Sequence, residues 1–225
     1  MSARLFVLGT FDQAETALYE VDLMRCLHEA GVTPAGVIYK RSRSEENPDR
    51  PVEGPGPDGR HLIHVHDFNA AVLVRRLGEL SADLLVYAGG RDLLRPPLLA
   101  SARLGCIGGH YGRLPEMRGM GTPEWSVLVG QAPTVAIQRM ASGVDVGDVV
   151  MQAKVPLLFS DNFMSIRERS YYLTKTMLAL SARRMLLDGV AGTPQRNAAG
   201  RQYYRLHPSL HQMAERRLQR LLSSQ

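Results

Sequence analysis

A doubly wound, mainly parallel α/β sheet with a short helical C-terminal extension is the fold class this sequence predicts. Three observations predict it. Apolar runs of strand length, such as those within Arg4–Gly9 and Ala82–Ala88, lack polar alternation, as strands covered on both faces require. Between them lie stretches with apolar residues every three to four positions, the rhythm of helices packed on a sheet. The two kinds of segment alternate along the chain, as βαβ units do. At 225 residues, 44% of them hydrophobic, the chain can bury one substantial core. Residues 1–195 are therefore expected to form one α/β domain, and 196–225 a basic extension ending in a helix.

The elements follow in order. Arg4–Gly9 is the first strand. Residues 12–30 carry Leu18, Val21, Leu23, Met24 and Leu27 in helical rhythm, and Gly31 stands where a left-handed residue closes a helix. Thr33–Tyr39 is a second strand. Residues 41–60 hold four prolines among glycines and charges with no period. They read as a loop inside the domain, because strand-like HLIHVH follows at once. Asn69 is placed to cap a helix reaching about Leu80, before the strand Ala82–Ala88. Thr122-Pro123-Glu124 joins a hydroxyl cap, a proline at the first helical position and an acid near the positive helix end, and Gly130 ends that helix. Strands over 134–140 and 148–155 come next. A long amphipathic helix spans 162–187 and is closed by Gly189. The last helix runs from Pro208 to about Leu222.

Composition narrows the class. With only Cys26 and Cys106, no disulfide framework is expected. The opening MSARLFVLG is too short for a signal peptide and no apolar run reaches membrane-spanning length, so a cytoplasmic location and no membrane partner are expected. The net charge of +5 is concentrated at one end. Residues 196–225 hold six arginines against Glu215, whereas the first 195 balance at 21 basic and 21 acidic side chains. Such a run reads as the solvated face of a terminal helix. Nucleic acid is not the expected partner, since basic residues interleaved with aromatics are missing from the main domain. His61, His64, His66 and Asp67 lack the spacing of a metal-ligand set, so no metal is expected.

The chemistry lies in GCIGGHYGRLPEMRG at 105–119, GTPEWSVLVG at 121–130 and SGVDVGD at 142–148. His110 and Asp145 each stand where a hydrophobic strand gives way to a glycine-rich turn. Meeting at the carboxyl ends of strands, where open α/β sheets bind ligands, an imidazole and a carboxylate can polarise a carbonyl oxygen and manage a proton. With Leu114-Pro115, Arg118-Gly119, Trp125, Gly130 and the run Gln152–Pro156, this segment resembles the catalytic segment of the formyltransferase superfamily. The similarity touches residues 4–205 and is strongest over 83–156. It extends to Arg201-Gln202-Tyr203-Tyr204, which is similar to a short segment of amine-modifying family members.

The resemblance implies a Rossmann-like formyltransferase fold and transfer of a one-carbon unit from 10-formyltetrahydrofolate to an amine of a small metabolite. It implies that His110 polarises the formyl carbonyl while Asp145 orients His110 and handles the amine proton. The pterin slot would be formed by Gly89, Gly90, Arg91, Asp92, Leu93 and Leu94, with Ala141, Ser142, Gly143 and Val144 opposite. Gly89 and Gly90 permit close backbone approach to a flat ligand.

The chain departs from the family pattern at the asparagine of Asn-x-His, which is Gly108 here, and at Pro-Ser, which is Tyr111-Gly112. Loss of one such donor typically costs about 10²–10³ in rate, and Gly108, Gly109 and Gly112 are expected to leave space beside His110. A folate-independent amide-forming cyclisation or hydrolysis on the same pair is the second reading, and a non-catalytic binding protein the third. The chain has no room for the second, barrel-like domain of methionyl-tRNA formyltransferases, so a small-molecule acceptor in specialised biosynthesis is expected, with a homodimer left open.

Overall fold

Alternation within single strands explains the layering. In the computed structural model, which describes residues 3–9, 14–40, 52–56, 59–90, 92–196 and 200–223, the first strand is β1 (Leu5–Gly9). Leu5 and Val7 of β1 pack in one core cluster with Leu23 and Leu27 of α1 (Ala14–Glu29) and with Leu178 and Ala182 of α5 (Phe163–Leu187). Phe6 and Leu8 join the other cluster, with Leu73 and Leu77 of α2 (Ala71–Glu79) and Leu98 of α3 (Pro96–Leu99). A period of two thus sends neighbouring residues to opposite helical layers.

The remaining strands are β2 (Gly36–Lys40), β3 (Val52–Pro55), β4 (His61–Val65), β5 (Leu84–Tyr87), β6 (Cys106–His110), β7 (Met117–Gly119), β8 (Thr134–Arg139), β9 (Val149–Lys154) and β10 (Arg201–Tyr203). Eight of them form one sheet in the order β3-β4-β2-β1-β5-β6-β8-β9, while β7 and β10 form a small parallel pair. The five strands from β4 to β6 run parallel; β3 and β8 run against their neighbours. The expected doubly wound, mainly parallel sheet is present. The chain leaves β1 in both directions, which opens a crevice at the carboxyl ends of β1 and β5. Beyond the sheet, α4 (Thr122–Leu128) packs on α6 (Pro208–Leu222), whose Ala214, Leu218 and Leu222 complete the first core cluster.

Three local expectations are corrected. The stretch 41–60 is not loop throughout: Val52–Pro55 is an edge strand antiparallel to β4, while residues 41–51 lie outside the described residues. Asn69 does not cap α2, which starts after Ala70 without a side-chain cap. Its side chain instead spans the turn to residue 93, donating from Nδ2 to Leu93 O at 3.0 Å and accepting from Arg95 N at 2.7 Å. Thr122 is inside α4, because Gly121, at φ +66, takes the capping position that only a left-handed residue fits. The Thr122 hydroxyl donates to Tyr111 O. Of the other boundary residues, the three expected helix-closing glycines act as expected, and one cap is new. Asn162 caps α5 in a reciprocal pair with Ser165, and Gly31, Gly130 and Gly189 follow their helices at positive φ.

Candidate active site

His110 is the last residue of β6 and is only 7% exposed. Its Nε2 is 2.6 Å from Met117 O. A carbonyl only accepts, so Nε2 carries a proton and donates it. The other ring nitrogen, Nδ1, is 3.3 Å from Asp145 Oδ2. The two residues separated along the chain therefore do meet, and the imidazole bridges a carboxylate and a backbone carbonyl.

Asp145 reaches this place by a route the sequence did not suggest. It follows β8, which runs antiparallel, so the carboxyl end of that strand lies at the opposite end of β6 from His110: Arg139 pairs with Ile107, and Ala136 with His110. The turn after β8 folds back along the sheet to bring the carboxylate to the imidazole. The expectation of two strand carboxyl ends side by side holds for His110 and not for Asp145.

Five hydrogen bonds hold that turn. Gln138 Nε2 donates to Asp145 Oδ1 at 2.7 Å, and Gly119 N donates to Oδ2 at 2.8 Å. Gln195 Nε2 donates to Asp145 O at 3.1 Å and to Gly147 O. Gly147 N donates to Gln138 Oε1 at 3.2 Å. Asp145 itself has φ +53, a left-handed conformation that costs a non-glycine residue about 1–3 kcal/mol and is held only where its surroundings over-determine it. A Cβ on Gly147 would overlap the Arg139 carbonyl, so the turn has this shape only with glycine there.

The glycines beside His110 are less open than their number suggests. A Cβ on Gly112 would stand 2.5 Å from His110 Nε2, so the absent side chain makes room for the ring where it now lies. A Cβ on Gly108 would meet Met140 Sδ at 2.9 Å, which means that the thioether already fills the place of an asparagine side chain. The expectation of free space at Gly108 is corrected accordingly. Gly109 is exposed, and a Cβ there would run into Thr174 of α5.

A prediction follows for this contact. Gly108→Asn is expected to lower stability by about 1–3 kcal/mol through overpacking. The double change Gly108→Asn with Met140→Ala is expected to be more stable than the two single losses summed, as for any pair in direct contact. Strict additivity in thermal or urea melts would show that Met140 does not occupy the asparagine's place.

The residues of the expected slot are divided. Gly89 and Gly90 have φ +125 and +144, and a Cβ on Gly89 would meet nothing within 4 Å, so conformation and not crowding requires glycine there. Asp92 N donates to Tyr87 Oη at 3.1 Å, and the Asp92 carboxylate pairs with Lys40. Leu93 is 68% exposed, whereas Leu94 is buried in the second core cluster. Arg91 lies outside the described residues. Of the residues expected to face them, Ala141, Ser142, Gly143 and Val144 are all exposed.

Two buried groups complete the setting. Burial pushes the Cys106 thiol up to about 12, which leaves it protonated and unreactive at neutral pH. Lys175 of α5 is 2% exposed and donates from Nζ to Ala88 O, the carbonyl just before Gly89, with the Tyr171 ring centroid 5.2 Å away. Neither Lys175 nor Met117, Gln138, Met140 and Gln195 was indicated by the sequence. Each acts through packing, a backbone group or a side-chain amide on Asp145, and carries no motif of its own.

A family model described as formyl transferase matches residues 41–180. The chain belongs to the formyl transferase family. Methionyl-tRNA formyltransferase of Synechococcus sp. (strain CC9311) is 28% identical over 187 residues, covering 80% of this chain and 55% of that protein. The formyl transferase chain thus spans about half the length of the curated relatives it matches. Among solved structures, glycinamide ribonucleotide transformylase 1 from Symbiobacterium toebii superposes with a TM-score of 0.63 at 21% identity, covering 86% of this chain and 93% of that one. Formyltransferase PseJ from Anoxybacillus kamchatkensis, in complex with UDP-4,6-dideoxy-4-formamido-L-AltNAc and tetrahydrofolate, gives 0.57 at 18%, covering 90% and 86%. These likenesses establish the Rossmann-like formyl transferase fold. Among the described residues no helix is long and apolar enough to cross a membrane.

Proposed function

We propose that this formyl transferase moves the formyl group of 10-formyltetrahydrofolate to an amino group on a small metabolite. The observation that carries the reading is the His110–Asp145 contact at the end of β6, beside a glycine-built slot. That slot suits a flat ligand. Gly89 is open above, Leu93 and the 141–144 turn face solvent, and Lys40, Tyr87 and Asn69 fix the backbone between them. The folate, when bound, supplies the activated one-carbon unit.

The chain's residues supply the rest. His110 turns its Nε2–H from Met117 O to the formyl oxygen and stabilises charge developing there. Asp145, anchored by Gln138 and Gly119, orients the imidazole through Nδ1 and takes up the proton released by the amine. A sugar amine is the favoured acceptor class, since PseJ is described in complex with a formamido sugar nucleotide and tetrahydrofolate. The test is a spectrophotometric assay of 10-formyltetrahydrofolate against a set of amino sugar nucleotides, in which amine-dependent tetrahydrofolate release is expected. Turnover of an amine without folate would replace this reading with a folate-independent one, for which Met140 over Gly108 is the supporting observation.

A further inference from the structure

A cleft of about 560 Å³ lies at the carboxyl ends of β6 and β9, and its mixed walls include Arg113, Gln131, Thr134, Gln152 and Lys154 beside Ala132 and Ala153. Its position relative to His110 follows from the strand register. Ala136 pairs with both His110 and Gln152, so the Gln152 backbone stands two strand spacings from that of His110, about 10 Å. Thr134 and Lys154 pair with each other two residues farther along, on the side toward Arg113.

The charge in this cleft is positive and lightly compensated. Lys154 is exposed and makes no ion pair among the described residues. Arg113 is 56% exposed, and its Nε is 3.4 Å from Glu116 Oε1, a contact that leaves most of its guanidinium edge unoccupied. A third cation stands at the edge: Arg217 Nη2 would be 3.1 Å from a Cβ on Gly130, another residue of the wall. Gln131 also lines the cleft; its side-chain oxygen, buried without a hydrogen-bond partner among the described residues, can only accept and so offers an anion nothing through that atom. Gln152 is spent differently, its amide pairing with both backbone polar atoms of Leu114 at 3.3 and 3.5 Å, which ties the Arg113 loop to β9.

The geometry points to an oxyanion-binding site for the phosphate or diphosphate of the acceptor substrate, held by Arg113 and Lys154 with Arg217 at the rim. Two guanidinium groups and an ammonium meet phosphate oxygens with charge-assisted hydrogen bonds. The spacing from His110 lets one molecule place its phosphate here and its amine at the imidazole. The anion site stands on the cleft alone; only its assignment to the acceptor rests on the transfer reading.

Calorimetric titration of the full chain with inorganic pyrophosphate tests the site. Wild type is expected to bind, and Arg113→Gln with Lys154→Gln to weaken binding by about tenfold or more. The charge-keeping pair Arg113→Lys with Lys154→Arg should retain it, as should Arg216→Gln with Arg220→Gln on α6. Absence of binding, equal loss in the α6 variant, or binding of tRNA in place of pyrophosphate would each overturn the inference. Tetrahydrofolate is titrated separately on the same preparations. If it binds and pyrophosphate does not, the cleft assignment fails alone; if only pyrophosphate binds, the transfer reading fails and the anion site stands.

Discussion

His110→Ala is expected to lower amine-dependent release of tetrahydrofolate by about 10²–10⁴-fold, the range for loss of a positioned proton-handling group. Asp145→Asn should fall in the same range through a different route. The amide still accepts from Gly119 N but cannot take a proton, and it faces Nδ1 with a weaker dipole. If the two act as one unit, the double variant should be little worse than either single one. Circular dichroism and melting temperature distinguish loss of chemistry from loss of fold, since His110 and Asp145 also brace the turn after β8. A variant that melts like wild type yet keeps more than about a tenth of its rate would remove His110 from the reaction.

The second large effect concerns Lys175. Burial pulls its ammonium down to about 8 from the ordinary lysine value of 10.5, with Asp22 and Cys26 acting weakly in the opposite direction. The folded state therefore holds fewer protons than the unfolded chain between about pH 8 and 10.5, and stability attributable to this group rises with pH across that window. Below it, the buried charge costs the fold about 3 kcal/mol relative to the neutral amine. Cys106 works against this trend. Its raised thiol value favours the fold below about pH 9 and loses that contribution as pH climbs toward 12. Lys175→Met isolates the lysine. The difference in unfolding free energy between wild type and variant should shift by about 3 kcal/mol in favour of wild type from pH 7 to pH 11. A difference that is flat with pH would mean that the amine keeps its ordinary titration.

How much of this was legible in the sequence depended on range. Buried strands and helix rhythms were readable because each is a property of neighbouring residues, as the apolar run of β1 and the helix-closing Gly31 and Gly189 show. Direction was not readable. The run 134–138 is buried throughout as β1 is, and nothing local marks it as antiparallel. Val52–Pro55 escaped notice because an edge strand pairs on one side only and tolerates proline and glycine. At the site, the His110 and Asp145 motifs were visible, while Met140 over Gly108 required a contact across thirty-two positions.

The short parallel pair of β7 and β10 has a consequence beyond the fold. Gly119, which donates to Asp145, belongs to a strand whose other edge is formed by Arg201–Tyr203. A Cβ on Gly119 would overlap the Tyr203 carbonyl, so the two backbones are fitted to each other. In hybrids recombined from different family members, residues 117–119 and 201–203 should be inherited from the same parent. A crossover between them would hand the carboxylate a scaffold shaped for another enzyme.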